Sequence, residues 1–304
     1  MRSMSKDRIL ITGANGNLGG RLVRELTENT DYDVIAMSLC QDWVEAMLER
    51  EQIANRRRVL SFDQDTFFHG DWKDMRVSAA VHMAFARGNR PSAEIANSLD
   101  YSRDVFRRLY DMQVPKVIYT SSQSVYGSTS DWRKEDCPPA PESLYSMAKY
   151  AGEKLLEAQF RDASGISYTS VRLDYVIQSQ RLVSALCRDA KNTGTINLTG
   201  GKQTFSYIDR VDVAKAIAAL IQYKGRWKPI YNVGPNKMRY TLREIADVVV
   251  AVAKKHGIDD VKINFEENDT ALWSGMDSSQ FMMDTGWKPS MDIYQMVEAI
   301  YEKV

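Results

Sequence analysis

Ile9-Leu10-Ile11-Thr12-Gly13-Ala14-Asn15-Gly16-Asn17-Leu18-Gly19 is the stretch that decides the fold. A β-rich run enters a turn with glycines spaced by three. A helical pattern opens directly behind it, with Leu22, Val23 and Leu26 on one face, and Val34-Ile35-Ala36-Met37 then reads as a second strand. That is a βαβ unit. A glycine pattern alone is weak evidence, but between a strand and a helix each glycine has a task. Gly13 permits the tight turn, Gly16 lets the backbone approach a pyrophosphate, and Gly19 lets the helix lie close to the sheet. The helix N-terminus adds free N–H groups and positive potential. Gly13, Asn15, Gly16, Asn17, Leu18 and Gly19 are thus the expected dinucleotide-binding residues; an ordinary glycine-rich β–α turn is the competing reading.

Working outward, short β-rich runs recur at Arg58–Phe62, Ala80–Met83, Lys116–Tyr119 and Ser167–Arg172, separated by helical periodicity over Ile95–Met112 and Leu144–Phe160. Such alternation predicts an α/β fold: a doubly wound parallel, Rossmann-type sheet covered by helices on both faces. After Arg172 the pattern loosens into a helix over Arg181–Ala190, a polar turn at Asn192, a short strand at Ile196–Leu198 and a Gly200-Gly201 break. Thr241-Leu242-Arg243-Glu244 reads as a capping box, and Ser290 as the cap of a last helix. The expected division is a dinucleotide-binding domain over 1–172 with returning segments at about 205–238, and a smaller, partly interleaved substrate lobe from 173–204 and 239–304.

Composition excludes several classes. With 304 residues, 44% of them hydrophobic, the chain can fill a sizeable core. Forty Lys+Arg balance forty Asp+Glu, so no global field favours nucleic acid or an anionic membrane. The longest apolar run, Ile245–Ala253, falls far short of the roughly 20 residues that span a bilayer. The start, Met1 to Asp7, has no apolar signal core, which predicts a cytoplasmic protein. Cys40, Cys137 and Cys187 are widely spaced, and His69, His82 and His256 form no ligand motif, so neither disulfide nor metal site is expected.

Cofactor choice turns on the end of the second strand, where a carboxylate would accept from the ribose of NAD and repel the 2′-phosphate of NADP. The residue there is Ser38, and no Arg follows immediately. The missing acid leans toward NADP and the missing Arg against it. Arg56-Arg57-Arg58 is the nearest basic stretch, more simply read as a solvated loop, so NAD or NADP stays open. Asp63, after the third strand, is placed either to accept from the adenine amino group or as an exposed turn residue.

Tyr145 and Lys149 lie one helical turn apart on the same face. An ammonium beside the phenol, together with the nicotinamide's charge, favours the phenolate, letting Tyr145 exchange a proton with a substrate oxygen while hydride moves to or from the nicotinamide. Thr120-Ser121-Ser122-Gln123-Ser124 follows the strand Val117–Tyr119, and a Ser at the carboxyl end of a parallel strand can hydrogen-bond the same oxygen.

Taken in order, Thr12–Gly19, Val81–Ala84, Asn97, Ser121-Ser122 with Val125-Tyr126-Gly127, Tyr145 with Lys149, Gly200–Gln203 before Tyr207–Asp212, Tyr231–Gly234 and Thr285–Pro289 resemble the extended short-chain dehydrogenase/reductase family, the group typified by UDP-galactose 4-epimerase. The resemblance covers nearly the whole chain. It implies a catalytic triad of Ser122, Tyr145 and Lys149, with Lys149 also holding the nicotinamide ribose. Ala84 joins the cofactor-binding residues, Asn97 supports the active-site strand, and His82 stands near the cofactor or, more simply, as a satisfied core histidine. It also implies a homodimer through the helices at Ile95–Met112 and Leu144–Phe160.

Three departures qualify the resemblance. Gln123-Ser124 stands where sugar dehydratases of the family carry Asp-Glu, which disfavours dehydration. Two family arginines that clamp a diphosphate are missing, one after Gln203 and one between Phe265 and Met276. Asp174–Gln180 replaces the Tyr-Gly-Pro-Gly loop. Ser124, Arg181 and Lys202 are the candidate substrate-binding residues, with Lys191 a further cation. The expected function is an NAD(P)-dependent oxidoreductase or epimerase acting on a nucleotide sugar at C4. Reduction or oxidation of a free sugar, sugar acid or small ketone is the first alternative, and a non-catalytic dinucleotide-binding regulator the second.

Overall fold

Seven parallel strands form the central sheet of the computed structural model, which describes residues 7–73 and 75–304. Of the start read over Met1 to Asp7, residues 1–6 lie outside those described. The strands are β1 (Arg8–Thr12), β2 (Asp33–Met37), β3 (Val59–Phe62), β4 (Val77–His82), β5 (Lys116–Ser122), β6 (Ser167–Leu173) and, arriving late in the chain, β10 (Ile230–Val233). Their order is β10-β6-β5-β4-β1-β2-β3, so the chain winds outward in both directions from β1. A sheet that reverses its winding leaves a crevice at the carboxyl ends of the strands flanking the switch, here β1 and β4.

Alternation along β1 shows why both faces are covered: Ile9 and Ile11 point to one side, Leu10 to the other, and all three are fully buried. On the first face lie α1 (Asn17–Asn29), α2 (Gln41–Arg50) and α7 (Arg210–Gln222), through Leu22, Leu26, Met47, Ile217 and Leu220. α4 (Ser92–Asp111) and α5 (Leu144–Phe160) cover the second through Val105, Phe106, Leu109, Leu156 and Phe160, with Phe67 from the short α3 (Gln64–His69) beside them. Each such side chain is worth about 1.5–3 kcal/mol of transfer free energy. No helix among the described residues is long and apolar enough to cross a membrane.

The smaller lobe has its own core. Val183 and Leu186 of α6 (Arg181–Thr193), Ile196 and Leu198 of β8 (Thr195–Phe205), Ile245 and Val249 of α8 (Leu242–Lys255), and Met296 and Ile300 of α10 (Ile293–Tyr301) pack together. The short β7 (Tyr175–Val176) and β9 (Tyr207–Ile208) pair with each other, and β11 (Tyr240–Thr241) and β12 (Lys262–Trp273) flank β8. The chain returns to the large core through α7 and β10, and again through α9 (Ser279–Thr285), whose Phe281 packs there with Trp287.

Two local expectations change. Gly200-Gly201 does not break the strand: β8 runs through it, because β12 passes so close that a Cβ at Gly201 would lie 1.8 Å from the Asn268 carbonyl oxygen. Ser290 does not cap α10. Asp292 does, in a capping box with Gln295, while the Ser290 hydroxyl donates to buried Asp212 at 2.7 Å. The Thr241–Glu244 capping box is formed as read.

Candidate active site

At the carboxyl end of β1 the glycine turn shows what each position requires. Gly13 has φ +70, and a Cβ there would lie 2.8 Å from the backbone of Ala84, so turn and β4 exit touch. A Cβ at Gly19 would meet the Gly13 carbonyl oxygen at 2.2 Å, whereas Gly16 has only that oxygen near it, at 3.1 Å. Gly16 is also the N-cap of α1, with no side-chain cap and no acidic residue in the first turn. The first N–H groups of α1 thus lack side-chain partners, in a wall that lets a ligand approach closely. These residues fit a dinucleotide's pyrophosphate.

Across the same cleft stand β5 and α5. Ser143 starts α5 in a capping box with Ser146, which fixes Tyr145 in the first turn and Lys149 one turn on. Lys149 is buried; its Nζ donates to the Thr120 carbonyl at 2.8 Å and lies 4.0 Å over the Phe85 ring. Ser122 Oγ accepts from the Ser124 N–H at 3.2 Å and from Ser124 Oγ at 2.9 Å, so its own proton is free to be donated. Behind them the Ser121 hydroxyl donates to Glu153 Oε1 at 2.6 Å, and Arg172 forms a two-pronged pair with Glu153 at 2.9 and 2.6 Å. Glu153 and Arg172 are both buried, and the guanidinium stacks 4.5 Å over Tyr126.

Burial controls the titrations. It pushes the Tyr145 phenol up to about 12, with the neighbouring Ser122 hydroxyl pulling the other way, and it pushes the Lys149 ammonium down to about 7 against the pull of Glu153. The lowered tyrosine is expected with the nicotinamide bound; in the protein by itself desolvation outweighs the polar partner and the phenol is raised. A further buried carboxyl, Asp174, is pushed up to about 7 by burial, although the Ser206 hydroxyl donates to it at 2.6 Å.

One cleft of about 780 Å³ joins these parts. It is lined by Gly13, Gly16, Asn17, Leu18 and Gly19, by Ser122, Ser124, Tyr145 and Lys149, and by Arg181. Sequence reasoning missed Phe85, Arg87 and Gly88, from the loop after β4, and Asp174, which also line it. Only the structure shows that Gly88 packs on the Tyr145 ring, where a Cβ would lie 3.3 Å from Cγ.

Other expected residues stand elsewhere. Lys202 is exposed on β8 and is not among the cleft-lining residues. Ser38 is buried and turned onto its own loop, its hydroxyl donating to the Cys40 carbonyl at 2.5 Å. Asp63 caps α3, accepting from the Thr66 N–H at 2.8 Å. Asn97 is exposed on α4, while its neighbour Ser98 accepts from the Ala86 N–H of the loop after β4 at 3.0 Å and Ser102 meets His82 of β4. His82 is a core histidine, its ring nitrogens 2.6 Å from Thr12 Oγ1 and 2.8 Å from Ser102 Oγ, and burial drives its pKa down to about 3, leaving it neutral. Arg58 binds the carbonyls of Thr27 and Thr30 at 2.6 and 2.9 Å, at the amino edge of the sheet, far from Ser38. His256 meets Glu298 and Glu302 on the surface, but Lys255 Nζ already occupies Glu298 at 2.6 Å.

Solved structures share the fold over the whole chain. WbmG of Bordetella bronchiseptica, crystallised with NAD, is 21% identical, with a TM-score of 0.77 and 100% of this chain and 96% of that one covered. UDP-glucuronic acid 4-epimerase of Bacillus cereus, in complex with UDP-glucuronic acid and NAD, is 19% identical at a TM-score of 0.79, covering 97% and 98%. UDP-N-acetylglucosamine 4-epimerase of the same organism is 18% identical at 0.77, covering 98% and 96%. The model of the NAD dependent epimerase/dehydratase family matches residues 9–234, and the chain, an enzyme of the extended short-chain dehydrogenase/reductase type, belongs to that family.

Proposed function

We propose that this enzyme uses a nicotinamide dinucleotide to move hydride at a sugar carbon, C4 of a nucleotide sugar, with Tyr145 as acid and base. The observation that carries the reading is that the glycine turn and the Ser122–Tyr145–Lys149 group line one cleft. When bound, the dinucleotide supplies the hydride acceptor and donor. Tyr145 exchanges the proton of the substrate hydroxyl, Ser122 donates its free hydrogen to the same oxygen, and Lys149, held on the Thr120 carbonyl, favours the phenolate when charged. Lys149, Arg87 and Arg181 set three basic groups against Asp174 in the cleft wall, which suits an anionic diphosphate. Glycine-turn recognition of the cofactor and pairing of two chains through α4 and α5, where Leu144 and Met147 are 46% and 51% exposed, belong to the same proposal.

The test is to identify the nucleotide that copurifies and to compare thermal shifts with uridine, thymidine, guanosine and cytidine diphosphates. A strong shift with one of them is expected. Asp174 favours a second reading, single reduction or oxidation of an uncharged sugar or ketone, because a carboxyl in the wall repels an anion whenever it is ionised. Turnover of such a compound with no shift from any diphosphate would replace the first reading by the second.

A further inference from the structure

Beside the glycine turn lies a charged cluster that the catalytic reading leaves unused. Arg50, at the end of α2, donates from Nη2 to the Asn15 carbonyl at 3.0 Å and lies 3.5 Å from the Gly16 carbonyl. Its Nε reaches Glu51 at 3.3 Å, and Arg210, at the start of α7, reaches the same Glu51 oxygen at 3.0 Å and Asn17 Oδ1 at 2.9 Å. Glu51 is buried, whereas the Arg50 side chain is 51% exposed. Two guanidiniums share one carboxylate, so the cluster carries one positive charge in excess. Nη1 of Arg50 has no protein partner among the described residues.

The cluster's position gives the excess charge a meaning. The Ala14 N–H donates to the Met37 carbonyl at 3.1 Å, so the turn adjoins the exit of β2, the corner where the adenosine ribose of a dinucleotide rests. No carboxylate stands at that exit: Ser38 folds onto Cys40, and Asp63 caps α3. We propose that Arg50 is the residue that selects the cofactor, facing the adenosine 2′-position from the outer side of the glycine turn and favouring the 2′-phosphate of NADP(H). Glu51 and Arg210 hold it there. Guanidinium suits the task because it is always charged and, with Nε and Nη2 engaged, Nη1 is left to donate to a phosphate oxygen. The inference rests on the dinucleotide reading of the turn.

Binding, not turnover, tests it. Dissociation constants of NADP⁺ and NAD⁺, and of adenosine 2′,5′-bisphosphate and 5′-AMP as probes of the adenosine end alone, are measured by calorimetry for the wild type, Arg50→Gln and Ser38→Asp. The wild type should bind both 2′-phosphorylated ligands more tightly. Arg50→Gln should weaken them roughly tenfold or more while leaving NAD⁺ within about threefold, and an intact thermal melt together with the NAD⁺ value shows that the variant folds. Ser38→Asp should invert the preference by repelling the phosphate. Tighter binding of NAD⁺ by the wild type, or equal weakening of NAD⁺ and NADP⁺ in Arg50→Gln, overturns the assignment while leaving the dinucleotide site standing. Failure of the wild type to bind any of the four ligands sinks the dinucleotide reading and this assignment with it.

Discussion

The two walls of the cleft are built on different principles. On the β5–α5 wall the polar groups are tied together and most are buried: Lys149 on Thr120, Ser121 on Glu153, Glu153 on Arg172, and half-buried Ser122 with Ser124. The other wall offers Arg87 and Arg181, exposed side chains on a loop and at a helix start, where the proposed substrate would lie. Rigid elements hold groups where chemistry needs them within fractions of an ångström, and exposed positions can vary the substrate at little cost to the fold. The comparison predicts large penalties on the first wall and small, ligand-specific ones on the second.

The largest penalty should come from breaking the buried pair. Glu153→Ala leaves the Arg172 guanidinium without its counter-charge in the core, and the expected loss is about 3–5 kcal/mol of unfolding free energy. Urea unfolding of the dinucleotide-free protein measures it. A loss below about 1 kcal/mol would mean that solvent reaches Arg172 and that this wall is not rigid.

Next in size is Tyr145→Phe. It removes only the titrating oxygen, so dinucleotide affinity should persist while turnover falls roughly 100-fold or more. Lys149→Met should lose activity and dinucleotide affinity together, which separates the two roles on one helix. Equal rates in wild type and Tyr145→Phe on a panel of nucleotide sugars would remove Tyr145 from the acid–base role.

How much of this was legible in the sequence follows the same division. β1, the glycine turn and α5 were readable because their periodicity and spacing are strict. Tyr145 and Lys149 follow from their spacing on α5 and Ser122 from the end of β5 together with the family resemblance, and the three do line one cleft. β12 was invisible: Glu266, Glu267, Asn268 and Asp269 break any apolar alternation, and the strand forms by pairing with β8 rather than by burial. Glu153 and Arg172 looked like ordinary charged residues, since nothing local says that positions 19 apart will meet in the core. Asn97 and Ser98 are adjacent, and only the rotation of α4 decides which of them faces the loop after β4. Arg50 and Arg210 reach the turn from 35 and 193 residues away.

The two buried titrating groups of the cleft make opposite demands on stability. Asp174 is raised from its ordinary 3.8 to about 7, so between those values the folded protein holds a proton that the unfolded chain has lost, and stability falls as pH rises through that window. Lys149 is lowered from 10.5 to about 7, so above 7 the unfolded chain holds the extra proton, and stability rises with pH. Together they predict a minimum in stability near neutrality. Melts from acid to alkaline pH should show it. Asp174→Asn should flatten the acid limb alone and Lys149→Met the alkaline limb alone; if either variant flattens both, the two groups titrate as one unit.

The smallest effect is the sharpest test of the substrate wall, because it compares two cations the sequence treats alike. Arg181 opens α6 inside the cleft, whereas Lys202 stands outside on β8. An exposed guanidinium facing an anionic substrate contributes modestly, since water screens it. Arg181→Gln should raise KM for a nucleotide sugar roughly three- to tenfold, leave kcat unchanged, and lose this difference at high salt. Lys202→Gln should change neither constant, and neither variant should alter turnover of an uncharged ketone. Equal effects of the two substitutions would show that the substrate feels only the general charge of the lobe; a drop in kcat for Arg181→Gln would move that residue from the variable wall into the rigid one.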